Sequence, residues 1–541
     1  MSSRSLRPSN DRHAHKGASM DHRDNNLGFF NSAAAKKYSD RVAVIDMSKT
    51  PPTELTHARL DDRMSRVGSA LQKAGLQPHT RVLLAMENRS EFIEAFFGTM
   101  RAGCVPIPLN HKLGADTIRF IIADAGAGAA IIDPMCHPEI AQIVEEASLS
   151  LRVATTPVPT GWLDYALWVS ESDASELRAP EIERGQTAFL PYTSGSTGVP
   201  KGVLLPHDGM LWGIRVAQKY WPAEPNDRAL IAGPLFHKNA MRVSVKPKLR
   251  VGGSVVILPR FEPKAFLTAL AEYHCTHTGG VPAMYRMVLA EEELLSRLEF
   301  PALKSLEMGS AVVGADLIAA VESAFSVPVI EAYGLTEGGG PLREPMDGRG
   351  SPLGSCGLVA PEVDVKLVGA EGKEDDREGE LWVRSPAVLS GYNNRPELDA
   401  ERLVGGYLKT RDIFRRDENG FFYFMGRTDD QFSCGGENIN PKEVELLLVQ
   451  HPEIVDAVVV PVPHVVKGVA PAALVTLRRD AEVDESALKE FTLANGPAYA
   501  HPRRIFFADE LPLNGAGKID RTQALSEVTE RIGGDGSIGS D

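Results

Sequence analysis

The chain has 541 residues, of which 43% are apolar and 24% charged, and its formal net charge is −14. This length allows more than one domain, and the composition is that of an ordinary globular protein. The acidic balance argues against a general nucleic-acid binder, which is usually basic, and no apolar run reaches the roughly 18 residues of a transmembrane helix.

The cysteines and the first residues bear on the cellular compartment. The five cysteines are odd in number and lack the paired spacing of a zinc site: Cys104, Cys136, Cys275, Cys356 and Cys434. Scattered cysteines indicate a reducing compartment, so the cytoplasm is expected. Residues 1–26 are polar and lack the apolar core of a signal peptide, and we expect them to be a disordered tail.

Apolar runs alternate with helical patterns over the first half of the chain. Arg81–Met86 and Ala129–Asp133 are typical of strands, and Glu91–Ala102 has helical spacing between them. The alternation returns later, with strands at Arg228–Ala232 and Ser254–Leu258 around a helix at Asn239–Leu249. Strands that alternate with helices predict a largely parallel sheet, which binds ligands at the carboxyl ends of its strands.

The pattern changes after residue 354. Short strands at Asp364–Val368, Gly379–Arg384 and Gly420–Met425 predict a small β-rich region. After Asp429, a helix at Pro441–Leu448 precedes strands at Asp456–Pro461 and Ala473–Leu477, typical of a compact α+β module. The predicted fold is α/β: a large N-terminal domain of parallel-sheet layers (27–428) with the β-rich region, a small mobile α+β domain (429–530), and a flexible tail (531–541).

A segment rich in hydroxyl groups and glycine, Tyr192–Val203, has the composition of a phosphate-binding loop. Glycine lets backbone N–H groups approach a ligand closely, hydroxyls donate to phosphate oxygens, and a lysine adds positive charge. The segment lacks the P-loop NTPase pattern, and it lies between apolar strands, where a surface linker is unusual. The residues expected to hold phosphate are Thr193, Ser194, Gly195, Ser196, Thr197, Gly198 and Lys201.

This loop resembles the phosphate-binding loop of the adenylate-forming superfamily, which includes acyl-CoA synthetases, peptide synthetase adenylation domains and beetle luciferases. Four further segments resemble signatures of that superfamily, in its order and approximate spacing: Ala332–Glu337, Thr410–Asp412, Gly426–Asp430 and Gly517–Lys518. The resemblance extends from about residue 28 to about residue 525. It implies that ATP and CoA are co-substrates and that Mg²⁺ is a cofactor.

The resemblance assigns the nucleotide site. Thr336 would contact the α-phosphate, Glu337 would help to hold Mg²⁺, and Asp412 would accept hydrogen bonds from both ribose hydroxyls. The residues implied around adenine, ribose and phosphate are Gly309, Ser310, Ala311, Glu331, Ala332, Tyr333, Gly334 and Arg427. Arg411 stands where the superfamily has glycine, which predicts either a changed turn or an added cation near the nucleotide.

The resemblance also assigns catalytic residues and a hinge. Lys518, in a glycine-rich segment, matches the lysine that bridges the carboxylate and the α-phosphate during adenylation. His237 matches a histidine between the acyl pocket and the thiol tunnel. Asp429 matches the hinge about which the C-terminal module rotates between the two half-reactions.

Two segments of the C-terminal module are implied to bind CoA. The first contributes Gly435, Gly436 and Glu437, and the second contributes Tyr499, His501 and Arg503. Cys434 adjoins the first segment and suggests an acyl-enzyme, but the superfamily uses the thiol of CoA directly and no basic residue adjoins Cys434 in the sequence.

The acyl pocket is expected to be roomy and mostly apolar, suiting a fatty or arylalkanoic acid. Its expected walls are His237, Val281, Met284, Met308, Val312, Gly338 and Gly339. Lys238 and Arg242 could instead pair with a second polar group on the substrate, but on a helix we expect them to be solvated.

These features predict an AMP-forming acyl-CoA synthetase that acts as a monomer or homodimer. Three alternatives remain: a ligase that delivers its acyl group to a carrier protein, a luciferase-like oxygenase, and a non-catalytic AMP-binding regulator. Lys518, Glu337 and the complete phosphate loop argue against the regulator.

Overall fold

The computed structural model describes residues 22–193, 199–309, 315–346, 348, 350–369, 371–434, 437–464, 467–479, 481–514 and 518–535. Helices and strands alternate through most of this chain. The helices are α1 Ser32–Lys37, α2 His57–Lys73, α3 Ser90–Arg101, α4 Ala115–Ala125, α5 Ile140–Glu146, α6 Tyr165–Ser170, α7 His207–Tyr220, α8 Lys238–Ala240, α9 Lys246–Val251, α10 Pro263–Glu272, α11 Pro282–Leu289, α12 Glu292–Leu295, α13 Ala315–Phe325, α14 Pro396–Arg402, α15 Pro441–Val449, α16 Glu485–Asn495 and α17 Arg521–Asp535. Short 3₁₀ turns occupy Leu27–Phe29 and Ala174–Glu176.

One helix near the middle of the chain has a composite geometry. A π-helical segment, Met241–Val245, joins α8 to α9, and the three segments together are called the site helix below. The sequence predicted a helix over Asn239–Leu249, and the site helix confirms it.

The strands of the large domain are β1 Val42–Asp46, β2 Thr53–Thr56, β3 Arg81–Ala85, β4 Val105–Pro108, β5 Ala129–Ile132, β6 Leu151–Ala154, β7 Leu163–Asp164, β8 Thr187–Phe189, β9 Tyr192–Thr193, β10 Lys201–Pro206, β11 Arg228–Ile231, β12 Ser254–Ile257, β13 His277–Gly280, β14 Ser305–Gly309, β15 Val329–Leu335, β16 Gly339–Arg343 and β17 Leu358–Val359. The later strands are β18 Asp364–Val368, β19 Glu374–Asp375, β20 Glu378–Arg384, β21 Gly391–Tyr392, β22 Leu403–Val404, β23 Tyr407–Arg416, β24 Phe422–Arg427, β25 Phe432–Cys434, β26 Glu437–Ile439, β27 Ile454–His464, β28 Gly468–Leu477 and β29 Arg504–Phe507.

Two mainly parallel sheets form the layers of the large domain, as predicted. The first has the order β17-β16-β15-β14-β13-β11-β12-β1-β2, with parallel pairing from β15 to β1, and the second has the order β4-β3-β5-β6-β7. Helices α2 and α3 lie between the two sheets, and their buried residues, including Met64 and Phe92, share one core with Val255 and Ile131. Strand β5 is buried along its whole length, as expected of a parallel strand covered on both faces.

The β-rich region and the C-terminal module follow. The sheet β19-β18-β20-β23-β22, with β24 beside β23, is antiparallel. In the module, the sheet β27-β28-β29 carries α15 and α16 on one face and α17 on the other, because successive residues of β27 point to opposite faces. Val459 packs with Leu448 of α15, whereas Val460 packs with Val528 of α17.

The structure corrects two predicted boundaries. Asn26, assigned to the N-terminal tail, is 1% exposed, and its side-chain amide donates to the carbonyl oxygen of Met100 at 2.8 Å. The tail predicted from residue 531 begins too early, since α17 continues to Asp535 and Ile532 packs against the module core. Within the described ranges, no helix is long and apolar enough to cross a membrane.

Candidate functional site

The phosphate-binding segment is anchored by a hairpin. Strands β9 and β10 pair antiparallel, and Thr193 lies opposite Lys201, which places these two predicted phosphate ligands side by side. Of the predicted phosphate ligands, Ser194, Gly195, Ser196, Thr197 and Gly198 lie outside the described residues. The pKa of Lys201 is lowered, chiefly by burial and then by the nearby guanidinium of Arg411. The base of the loop is therefore a cationic position.

Asp412 lies at the centre of a polar group beside this hairpin. Its carboxylate accepts a short hydrogen bond from the hydroxyl of Tyr333 and another, at 2.7 Å, from Nη1 of Arg427. Burial raises the pKa of Asp412 to about 6, although the charge of Arg427 acts in the opposite direction. Each carboxylate oxygen can accept more than one hydrogen bond, so Asp412 can still accept from a pair of hydroxyl groups.

Arg411 adds a cation within β23, at a position with a left-handed backbone conformation. Its φ of +63° lies in the left-handed region that glycine adopts most easily. Its guanidinium pairs with Glu401 and lies 3.4 Å from the carboxylate of Asp429. Of the two predicted alternatives, the structure shows an added positive charge, which lies near Asp429 and Lys201.

The residues predicted around adenine lie on two neighbouring strands. Strands β14 and β15 are parallel, with Gly309 opposite Ala332 and Met308 opposite Glu331, so their carboxyl ends lie together. Burial raises the pKa of Glu331 to about 7. Ser310, Ala311 and Val312 lie outside the described residues.

Thr336 and Glu337 follow β15 and are held through their backbone carbonyls. The carbonyl oxygen of Thr336 accepts a hydrogen bond from Nζ of Lys238 at 2.6 Å, and that of Glu337 accepts from the N–H of Leu389 at 2.7 Å. Among the described residues, the carboxylate of Glu337 has no hydrogen bond or ion pair. It is therefore free to coordinate a cation.

Lys518 reaches this site from the C-terminal module. A bridge between Leu513 and Ile519 closes the base of its loop, and the N–H of Asn514 donates to the carbonyl oxygen of Lys518 at 2.7 Å. Although the residue is solvent-accessible, protein atoms surround its side chain, and this desolvation lowers the pKa of its ammonium group. The charges of Asp412 and Glu337 act in the opposite direction, so the folded chain brings Lys518 close to both carboxylates.

His237 lies at the start of the site helix and presents a neutral imidazole. Burial, with smaller effects from Lys518 and Lys112, lowers the pKa of His237 to about 4. Its Nε2 is buried and has no hydrogen-bond partner among the described residues. This unsatisfied nitrogen, near Lys518, is available to a ligand.

The expected apolar walls of the acyl pocket need correction. Met308 is fully buried in the core of α10, α11 and α13 and does not line an open pocket, whereas Met284 is partly buried against the same core. Strand β14 alternates in burial, which directs Met308 to that core and Glu307 to the opposite face. A methyl group on Gly279 would approach both Glu307 and Val243 of the site helix, which places Glu307 between the sheet and that helix. Val281 is partly buried at the N-terminal end of α11.

The glycines after Glu337 do not open the pocket either. Gly338 packs against the side chains of Leu335 and Leu408, and Gly339, with φ +80°, packs near Ala387. The space beside Gly340 is filled by the guanidinium of Arg242, 2.6 Å from where a Cβ would lie. Side chains of other residues therefore fill the space beside these glycines.

Lys238 is buried and Arg242 is only partly exposed, contrary to the expectation that both are solvated. Lys238 is 8% exposed, and burial lowers its pKa to about 7. Arg242 lies 3.6 Å from the carboxylate of Glu307. The site helix turns these residues toward the sheet, and sequence analysis missed Glu307, Lys246 and Arg343, which lie around them.

The residues predicted to bind CoA form a separate group. Nη1 of Arg503 donates to the imidazole of His501, and Nε of Arg503 is buried without a partner among the described residues. Tyr499 is 41% exposed and, with His501, borders a cavity of about 50 Å³. Glu437 is exposed on β26, and Gly435 and Gly436 lie outside the described residues. Within the described ranges no hydrogen bond or ion pair joins this group to Lys518 or Asp412.

Cys434 is a poor candidate for an acyl-enzyme. The residue is only 2% exposed, within the core of the module. The structure does place Arg503 close enough for the two groups to interact electrostatically, a neighbour that the sequence did not indicate. Burial nevertheless excludes Cys434 from contact with a substrate in this conformation.

Comparison with known proteins agrees with this geometry. Residues 31–393 match the AMP-binding enzyme family and residues 443–518 its C-terminal domain. The chain is 32% identical to a feruloyl-CoA synthase from Amycolatopsis sp, over 89% of this chain and 94% of the relative. It is 30% identical to an oxalate–CoA ligase from Arabidopsis thaliana, over 92% and 97%. It superposes on ATP-bound MatB from Rhodopseudomonas palustris with a TM-score of 0.83 at 27% identity, covering 94% and 99% of the two chains.

The fold, the two matched domains and these relatives agree on one reaction class, in which ATP and CoA are substrates. The chain therefore belongs to the AMP-binding enzyme family of the adenylate-forming superfamily, and it is an acid–thiol ligase of the AMP-forming acyl-CoA ligase class.

Proposed function

We propose that the protein converts ATP, a carboxylic acid and CoA into acyl-CoA, AMP and diphosphate through an acyl-adenylate. The observation that carries the proposal is that Lys518, Asp412 and Glu337, from three distant parts of the chain, lie close enough for their charges to interact. Glu337 also lies near Lys201 of the phosphate hairpin. His237 lies near the same lysine. Such a site can bring two anionic reactants together, which is the main difficulty of adenylation.

In the first half-reaction, a carboxylate oxygen of the acid attacks the α-phosphorus of ATP and diphosphate leaves. Asp412 would hold the ribose hydroxyls, and the backbone at Thr336 would orient the α-phosphate. The ammonium group of Lys518 would lie between the carboxylate and the α-phosphate, where negative charge accumulates in the transition state. Thr193 and Lys201, with residues 194–198, would bind the β- and γ-phosphates.

Mg²⁺ fits this site through a single carboxylate. Mg²⁺ is usually held by one or two carboxylates together with substrate phosphates and water, and the unengaged carboxylate of Glu337 meets that need. When bound, the ion would neutralise phosphate charge. No group of three or more metal-ligating side chains occurs in the described part of the chain, which agrees with an ion that arrives with the nucleotide.

In the second half-reaction, the thiol of CoA attacks the acyl carbonyl carbon and AMP leaves. The proposed CoA residues Tyr499, His501 and Arg503 are not in contact with Lys518, so they need a rotation of the module to serve the same acyl group.

Asp429, in the turn after β24, is the proposed hinge. Residues 27–428 and 429–530 are the proposed rigid units. The neutral imidazole of His237 would lie between the acyl group and the thiol.

The acid is proposed to have a fatty or arylalkanoic skeleton. Val243 and Gly279 provide apolar surface where the site helix approaches the sheet, and an apolar chain or ring would suit that surface. The feruloyl-CoA synthase relative is named for an aromatic acid, which supports an aromatic skeleton for the substrate. The oxalate–CoA ligase relative is named for a small dicarboxylic acid, so related enzymes differ in the acid they use.

The proposal is tested by incubating the purified chain with ATP, Mg²⁺ and a panel of acids. Acid-dependent release of diphosphate measures adenylation, and mass spectrometry of the thioester measures transfer to CoA. Diphosphate release without transfer to CoA would favour delivery to a carrier protein instead. No diphosphate release with any acid would contradict the proposal.

A further inference from the structure

A group of basic side chains lies between the site helix and the sheet. Lys238, Arg242 and Lys246 are spaced four residues apart on the site helix and therefore project to similar sides of it. Lys246 is 4% exposed and Lys238 is 8% exposed. Arg343, at the end of β16, lies close enough to Arg242 for the two charges to repel. The group is called the basic cluster below.

The basic cluster has four cations, whereas the carboxylates of described residues that interact with it are those of Glu307, Glu337 and Glu344, so one positive charge is in excess. Arg242 is 3.6 Å from Glu307, and Lys238 donates to the carbonyl oxygen of Thr336. Within the described ranges the ammonium group of Lys246 has no hydrogen bond or ion pair, and Nε of Arg343 is buried without a hydrogen-bond partner, although its guanidinium lies over the ring of Trp221. Burial and repulsion by Arg242 lower the pKa of Lys246 to about 8. Buried cations are costly unless they are paired, so an anionic partner would stabilise this arrangement.

The cluster borders the proposed acyl site. The guanidinium of Arg242 covers Gly340 and lies near Gly334, and both glycines flank the segment that includes Thr336 and Glu337. His237 begins the site helix at the end where Lys518 approaches. Arg242 and Lys246 follow His237 by five and nine residues, so they lie progressively farther along that helix.

We propose that the acid substrate carries a second anionic group, a carboxylate or a sulfonate, which binds to Arg242 and Lys246 while the reacting carboxylate lies near Lys518. This proposal rests on the proposed function and narrows its substrate class. Lys246 is the specificity-determining residue, because its ammonium group lacks a partner within the described chain and it is the last of the three cations along the site helix after His237. Lys238 is a positioning residue, since it holds the backbone at Thr336.

The expected selectivity follows from desolvation. An acid with a neutral distal end would leave Lys246 buried and unpaired, whereas a dianion would pair with it and with Arg242. Charge-assisted contacts of this kind correspond to roughly 10- to 100-fold in affinity. Arginine also binds carboxylates through two parallel N–H groups, which favours Arg242 as the orienting residue.

The test compares matched acids on the wild-type chain: hexanoate with adipate, octanoate with suberate, and 3-phenylpropanoate with its 4-carboxy derivative. Acid-dependent diphosphate release gives kcat/KM for each. We expect the diacid of at least one pair to exceed its monoacid by 10-fold or more. Equal use of monoacids and diacids would overturn this inference and leave the proposed function intact, whereas no release with any acid would overturn the proposed function itself.

A variant of Lys246 then tests whether this residue determines the preference for a diacid. Lys246→Met should lower kcat/KM for the preferred diacid by 10- to 100-fold and leave or improve that for the matching monoacid, with the KM for ATP unchanged. Lys264→Met, at an exposed position, is the control for removing a lysine from the same region. An unchanged diacid preference in Lys246→Met would overturn the assignment. Because the wild-type panel needs no variant, the inference stays testable if Lys246→Met does not fold.

Discussion

Nη1 of Arg411 lies 3.4 Å from Oδ2 of Asp429, so the residue that occupies the expected glycine position contacts the proposed hinge. The same carboxylate accepts from Nε of Arg427 at 2.9 Å. Arg427 also binds Asp412, the proposed ribose ligand. A continuous series of charged contacts therefore joins the proposed nucleotide site to the hinge in this conformation.

Replacing Arg411 tests whether this contact holds the module in the adenylation orientation. Arg411→Gly removes the ion pair and relieves a backbone strain of order 1 kcal/mol, so overall stability should change little. We expect adenylation to slow several-fold, while thioester formation from supplied acyl-AMP is unchanged or faster. Stopped assays of each half-reaction measure this. Glu401→Gln, which loses the other partner of Arg411, is the control, and equal rates in Arg411→Gly and wild type would contradict the role.

Lys518 is expected to act in only one half-reaction. Lys518→Ala should slow acid-dependent diphosphate release by roughly 10²-fold or more, the scale of one lost charge-stabilising donor. Conversion of supplied acyl-AMP and CoA to thioester should be largely retained. Lys489→Ala is the matched control, because it removes a lysine of the same module that pairs with Glu485 on α16. An equal loss in both half-reactions would argue against the assignment.

Nucleotide binding should depend on the protonation of Asp412. Because burial raises the pKa of Asp412 to about 6, its carboxylate is charged above that pH and protonated below it. The affinity for adenosine, which carries no titrating phosphate, should therefore fall as the pH decreases through 6. The hydrogen bond from Tyr333 lowers the pKa of Asp412, so Tyr333→Phe should move the inflection to higher pH.

Titration calorimetry across pH 5 to 8 measures this, with Tyr423→Phe as the control for removing a tyrosine hydroxyl elsewhere in the same β-rich region. Asp412→Asn should bind weakly and without the inflection. A pH-independent affinity in the wild type would show that Asp412 is not the ribose ligand.

Arg503 is expected to bind the nucleotide end of CoA. Its Nε is buried without a partner within the described chain, and its Nη1 contacts the ring of His501. Arg503→Ala should raise the KM for CoA roughly 10- to 100-fold, as expected for charge-assisted contacts worth about 1.5–3 kcal/mol, and should leave diphosphate exchange intact. Dephospho-CoA should discriminate poorly between the variant and the wild type. An unchanged KM for CoA would place that end of the ligand elsewhere.

The layered fold could be predicted because short stretches of sequence are enough to indicate each of its strands and helices. A fully apolar run such as β5 indicates a covered parallel strand, and the helices between such runs supply the crossovers. The small module was predictable for the same reason. The C-terminal end of its last helix, α17, was not predictable, because Gly533 and Gly534 reduce helix propensity there. Tertiary contacts of Ile532 compensate for the two glycines.

The acyl pocket could not be predicted because it depends on which face each side chain takes. Met308 and Glu307 are adjacent in the sequence, and only the register of β14 decides which of them faces the site helix. Spaced cations such as Lys238 and Arg242 are usually solvated, and their burial follows from packing of the site helix against the sheet. A side chain at position 340 would collide with the guanidinium of Arg242. A lack of larger residues at this position among related sequences would therefore have indicated that Arg242 packs there.

The measurement that tests the central claim most directly follows one oxygen atom. An accepted acid labelled with ¹⁸O in its reacting carboxylate is turned over with ATP and CoA, and the products are analysed by mass spectrometry. If the carboxylate attacks the α-phosphorus and the thiol then displaces AMP, one ¹⁸O should appear in AMP and none in diphosphate. Label in diphosphate or inorganic phosphate, or AMP without label, would contradict an acyl-adenylate mechanism for this protein.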